Sequence, residues 1–224
     1  MGTIAAAYGS VSAVTFVTTI SFLEMSGIPF GGHMFAVIAL MEAPSIIVGV
    51  LLISIHNENT HHKISFKMVI HHSLINGSVV LIFESLCIGY FTNDAQAAGI
   101  KPFTTDIFKG FLTVFLLYMG VISGGKLKTL IKKGWFTLSF AIIAPVINGC
   151  IVALISGFFI SEIGNRLLMV ILAASASYIA VPAAMKFAAP KANPGLYIPM
   201  ALAITFSFNI TIGMPLYLYV INFF

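Results

Sequence analysis

The sequence predicts an all-α, polytopic membrane protein of about seven transmembrane helices, part of an inverted five-plus-five helix repeat with two broken helices. Three observations lead there. Of the 224 residues, 59% are hydrophobic and 8% charged, with a mean hydropathy of +1.04, whereas a soluble domain carries about a quarter charged residues. Apolar runs of the ~20 residues that a bilayer crossing needs recur along the chain. The chain also repeats itself: a shift of 165 positions puts Ser10-Val11-Ser12 on Ser175-Ala176-Ser177, Pro29 on Pro194, Ala36 on Ala201 and Leu51 on Leu216. Each copy has a small polar break inside an apolar run, then a Pro/Gly turn, then a second apolar run with an interior proline. Matched interruptions of this kind in a membrane chain point to a secondary transporter and to its substrate site.

The seven spans are expected at Thr3 to Leu23, His33 to Ile55, Val69 to Phe91, Ile107 to Ser123, Trp135 to Phe159, Leu167 to Ala189 and Leu196 to Phe223. Lys and Arg fall unevenly in the connections between them. One side holds Lys63, Lys67, Lys126, Lys128, Lys132, Lys133, Lys186 and Lys191, the other Lys101, Lys109 and Arg166. The richer side is expected in the cytoplasm and the C-terminus outside. This also explains the net charge of +4 without nucleic acid: the lysines orient the chain, and those at 126–133 suit anionic membrane lipid.

The broken spans are the first and the sixth, five crossings apart, so the two copies are expected to run in opposite directions. On that count, residues 1–55 are the last two helices of a first repeat, 56–68 a cytoplasmic linker and 69–224 a second, five-helix repeat. The first repeat would then lack roughly three helices, about a hundred residues, at its N-terminal side. The same count supports an alternative, an inactive or regulatory membrane fragment that needs further N-terminal helices or a partner chain.

Chemistry-bearing groups gather at the breaks. The run Tyr8 to Thr15 offers Gly9 for backbone freedom and the hydroxyls of Ser10, Ser12 and Thr15, and the run Ala173 to Pro182 offers Ser175 and Ser177 around Ala176. Half-helix N-termini there suit an anion and unwound carbonyls a cation. Glu42 lies mid-span before Pro44, which frees a carbonyl, and suits cation or proton coupling. Its repeat partner is Ser207, followed by Asn209. Glu24 reads as an interfacial residue and Glu84 as an interhelical polar contact. Cys87 and Cys150 lie in apolar runs and read as small buried residues. The histidines at 56, 61, 62, 71 and 72 surround one connection and lack i, i+4 spacing, so they read as a solvated basic interface. The sequence has no Gly-x-Ser-x-Gly elbow, P-loop or Cys/His metal spacing, so no catalytic residue, no enzyme activity and no metal site is expected.

The runs Gly9 to Thr15, Ala173 to Pro182 and Lys191-Ala192-Asn193-Pro194-Gly195-Leu196-Tyr197-Ile198 resemble the sodium-dependent bicarbonate transporter family of cyanobacteria and other bacteria, over essentially the whole chain. The resemblance implies ten spans in two inverted repeats and a homotrimeric inner-membrane symporter. Bicarbonate or a similar small anion would move with sodium by an elevator-like motion, with sodium as coupling ion and no other cofactor. It places the substrate at Ser12, Thr15, Ser175 and Ser177, with backbone amides around Gly9 and Ala176 as further donors, and Ser10 is counted with them as a substrate-binding residue. It also implies a cytoplasmic face that can dock a PII-like regulatory protein. One position departs from the cyanobacterial pattern: Tyr178 stands where that branch has an aspartate, so coupling would fall to Glu42, Tyr178 and Asn209.

Overall fold

In lipid every backbone polar group must be satisfied within the protein, and each regular element of the described chain is a helix. The structure is a computed structural model and describes residues 7–41, 77–132, 134–178 and 198–224, with Ile4 and Pro44. Glu42, the linker at 56–68, its histidines and residues 179–197 lie outside the described residues.

Among the described residues, two apolar helices stand apart as too short to cross a bilayer, Ala13–Met25 and Ile163–Ala174. Helix α1 (Ala13–Met25) follows the break at Gly9 to Ser12. At about 1.5 Å per residue it is about 20 Å long. Ser12, extended at φ −114°, caps it by accepting from the Thr15 N–H at 3.3 Å. It ends in a Schellman turn, which needs a left-handed residue at Gly27 (φ 66°): Gly27 N–H donates to the Glu24 carbonyl and Ile28 N–H to that of Leu23. A further helical stretch covers 34–41.

Helix α2 (Gly77–Phe91) leads through Thr92 and a capping box at Asn93/Gln96 into α3 (Asp94–Lys101). A π-helical turn at Pro102–Ile107 joins α3 to α4 (Phe108–Lys132). The fourth span, expected from Ile107, is thus the middle of a longer rod. Pro102 does not end it, because the widened turn absorbs the missing N–H.

Helix α5 (Trp135–Ser156) carries Pro145 in its interior. Helix α6 (Ile163–Ala174) is the second short one and stops at Ser175, extended at φ −86°. It begins four residues before the expected Leu167, so Arg166 belongs to a buried helical turn and not to a loop. Two π-helical turns, Met200–Phe206 and Asn209–Gly213, run on into α7 (Met214–Phe223).

Three stretches among the described residues are long and apolar enough to cross a membrane: Asp94–Gly125, Trp135–Ser156 and Met200–Phe223. They coincide with the fourth, fifth and seventh expected spans. The main core lies where α1 and α6 meet α5 and α7, around Phe16, Leu23, Leu167, Leu168, Ile171 and Tyr217.

Candidate functional site: the two helix breaks

Helices α1 and α6 lie side by side and point in opposite directions, held at both ends. At one end the Gly31 N–H donates to Asn165 Oδ1 at 2.7 Å. There Gly164 lets the Pro29 turn sit against α6, since a Cβ would lie 2.2 Å from the Pro29 carbonyl oxygen. At the other end the breaks themselves are joined. Ser12 N–H donates to Ser175 Oγ at 2.9 Å, and Ser177 N–H donates to the Ala7 carbonyl at 2.9 Å. The start of α1 and the end of α6 therefore share one place, and opposite helix poles meet there.

Local hydrogen bonding fixes the hydroxyls. Thr15 Oγ1 donates to Ser12 Oγ at 2.9 Å, and Ser175 Oγ donates back to the Leu172 carbonyl at 2.9 Å. Ser10, Ser12, Thr15, Ser175, Ala176 and Ser177 are all buried, while Gly9 is exposed. The structure thus brings the two serine runs and Thr15 together, as the repeat suggests.

The carbonyl at the end of α6 has its own partner. Asn209 Nδ2 donates to the Ala174 carbonyl at 2.8 Å, and Asn209 Oδ1 lies 3.3 Å from the Tyr217 hydroxyl, itself 3.1 Å from the Pro145 carbonyl. Pro145 has no N–H to give to Ala141, four residues back, and Thr205 Oγ1 donates to that freed carbonyl at 2.7 Å. Tyr8 completes the chain on Thr205 at 2.7 Å. Thr205 has spent its proton on Ala141, so Tyr8 is the donor.

Tyr178 follows the second break. Its ring lies edge-on to Phe206, centroids 5.6 Å apart, in a cluster with Ala176, Ala201 and Leu202. Its hydroxyl is the one buried side-chain polar atom among the described residues that makes no hydrogen bond.

Several contributors escaped the sequence reading. Asn165, Thr205 and Tyr217 gave no local signal, and Arg166 looked like a loop charge. Glu84 is exposed on α2, where an interhelical contact was expected. Glu24 is exposed as expected, 2.9 Å from Lys109 Nζ. Cys87 and Cys150 are free thiols, half-buried. Among the described residues no group of His, Cys, Asp or Glu could hold a metal ion.

The model of the Na+-dependent bicarbonate transporter superfamily matches residues 1–222. The chain belongs to this superfamily. A comparison with curated proteins gives no match. Membership makes the chain a transporter-family protein, in keeping with the three stretches among the described residues that are long and apolar enough to cross a membrane. Within a bicarbonate transporter superfamily protein, the joined breaks are a polar place in the described apolar interior, and they present donors at one helix end and carbonyls at the other.

Proposed function

We propose that this superfamily member is a secondary active symporter that carries bicarbonate, or a similar small oxyanion, together with sodium. The observation that carries the reading is the joint at Ser12 and Ser175, where one short helix begins beside the end of another inside a membrane protein. The positive pole of α1 and the hydroxyl of Ser12 suit an oxyanion, with Thr15 holding that hydroxyl and Ser10, Ser175, Ser177 and backbone groups near Gly9 and Ala176 around it. Carbonyls left at the end of α6, with Asn209 beside them and Glu42 from the second span, suit sodium. A symporter needs both ions at one movable place, and a joint between oppositely directed half-helices offers both poles within it.

The inverted repeat, inner-membrane placement with the C-terminus outside, trimeric assembly and a PII-like partner on the lysine-rich face belong to the same reading. They rest on the 165-residue shift, the lysine asymmetry and the resemblance.

The test is uptake of radiolabelled bicarbonate into proteoliposomes holding the purified chain, with and without an inward sodium gradient. Sodium-driven uptake is expected, reduced at least about tenfold in Ser12→Ala and in Ser177→Ala, since each removes a hydrogen bond at a buried charged ligand. Uptake indifferent to sodium would remove the coupling, and unchanged uptake in both variants would remove the site.

A further inference from the structure

Tyr178 carries a polar atom that the fold itself leaves unused. The residue is 7% exposed, its ring is held by Phe206, and its hydroxyl is fully buried without a partner. Buried polar groups in native structures are nearly always hydrogen-bonded, and the exceptions call for a reason. Phenylalanine would fill the same volume without that cost, so the hydroxyl is costly unless something else meets it.

Its surroundings tell which kind of partner that is. Ser12, across the joint, lies close enough to act on the phenol but does not reach hydrogen-bond geometry with it. Ser12 Oγ already accepts from Thr15 twice, from its N–H at 3.3 Å and its hydroxyl at 2.9 Å. A serine oxygen has two lone pairs and one proton, so what Ser12 still has to give is the proton. The phenol proton of Tyr178 is likewise unspent. Two O–H donors, one from each broken segment, thus meet at the positive end of α1, a 13-residue helix. The α1 pole favours an anion, and at the α6 end beside it the Ala174 carbonyl is already taken by Asn209 Nδ2.

We infer that Tyr178 is a direct ligand of the transported anion, donating with Ser12 to its oxygen atoms, and is not a ligand of the coupling cation. The inference deepens the proposed transport function and rests on it for the identity of the anion. It also gives Tyr178 a specificity role: a neutral donor pair selects a ligand with acceptor oxygens. Because the two donors come from opposite segments, a bound oxyanion ties one break to the other.

The experiment is Tyr178→Phe in the full chain, read in two ways. In proteoliposomes, the KM for bicarbonate is expected to rise roughly tenfold, the loss of one hydrogen bond to a charged ligand. The half-saturating sodium concentration, measured at saturating bicarbonate, stays where it is. In detergent without substrate, the variant is expected to melt at or above the wild-type temperature, because the orphaned hydroxyl is gone. A shifted sodium constant with an unchanged bicarbonate KM would make Tyr178 a cation ligand and overturn the inference; no change in either constant would overturn it as well.

The two readings fail separately. If the wild-type chain transports nothing, stabilisation of the purified protein by added bicarbonate still reports binding. Stabilisation seen in the wild type and lost in Tyr178→Phe supports the ligand role, whereas equal stabilisation, or none in the wild type, refutes it.

Discussion

The rod of α3 and α4 and the rod ending in α7 are both apolar enough to cross a membrane, yet they are used differently. In the most apolar stretch of Asp94–Gly125, 6% of residues are buried, against 56% in Met200–Phe223. Phe111, Val114, Leu117, Tyr118 and Val121 of α4 are exposed, as side chains facing lipid are. Every residue of Met200–Phe206 is buried, and beyond it Asn209, Gly213, Met214 and Tyr217 are as well. The difference is not in hydrophobicity, because lipid is as apolar as a leucine neighbour and gives no drive to bury one. What draws a helix inside here is small residues that allow close approach and polar side chains that find partners. Position in the bundle is therefore written in the exceptions to apolarity.

The largest break in this contrast should come from Arg166. It is a charge 8% exposed in an apolar core, and it holds three oxygens: Nη2 to the Ala153 carbonyl at 2.9 Å, Nη1 to that of Ile221 at 3.2 Å and Nε to Ser156 Oγ at 3.3 Å. These carbonyls lie in the last turns of α5 and α7, where helix poles are negative, so one planar fork on α6 fastens two neighbouring helix ends. Arg166→Met should cost about 3–5 kcal/mol in a thermal melt, the sum of two or more buried acceptors left without donors. Arg166→Lys should fall between, keeping the charge but not the fork. A Met variant as stable as the wild type would mean that the inner helices are held by apolar packing alone, as the outer rod is.

A smaller effect isolates close approach. A Cβ on Gly149 would lie 2.5 Å from the Tyr217 ring, and one on Gly213 would lie 3.1 Å from its other edge. Tyr217 is thus wedged between two glycines, fully buried, with its hydroxyl on Pro145 and Asn209. Gly149→Ala should destabilise by about 1–3 kcal/mol through overpacking. Trimming the ring in Gly149→Ala/Tyr217→Leu should recover part of that loss, giving a non-additive cycle. Gly120→Ala in α4, where nothing beyond the helix's own local backbone lies within 4 Å of the added methyl, should be neutral or slightly stabilising. Equal costs at Gly149 and Gly120 would erase the distinction between the two rods.

The same contrast shows what the sequence could say. Apolar runs announce helices, and they located the stretches around Trp135 and Met200 because lipid imposes a length. The breaks at Ser12 and Ser175 were legible because two small polar runs at a constant shift are a local, repeated signal. Arg166 was not: a lone arginine before an apolar run has the look of an orienting loop charge, and only the oxygens of Ala153, Ser156 and Ile221, brought in from two other helices, make it a clamp. Tyr217 and Thr205 were hidden for the same reason, since their partners, Gly149 and the Ala141 carbonyl, lie more than sixty residues away in sequence. The helix over Asp94–Lys101 was missed because its capping box and charges read as a loop between spans.

The smallest effect belongs to the ion pair that joins the outer rod to the short helix α1. Lys109 Nζ on α4 lies 2.9 Å from Glu24 Oε2 near the end of α1, with both side chains about half exposed. Such pairs contribute below about 1 kcal/mol, because water screens the attraction and two flexible side chains must be held. Lys109→Ala should therefore lower stability only slightly at low salt, and the difference from wild type should shrink toward zero at about 1 M salt, where the screening length falls to about 3 Å. A loss above about 2 kcal/mol that persists in salt would mean that the outer rod is fastened to the short helices by charge. The rod would then not be free to face lipid on weak terms. The apolar contacts of Leu116, Met119 and Ile122 with the cluster around Tyr178 argue for the weaker link, since they tie α4 to the core without any charge.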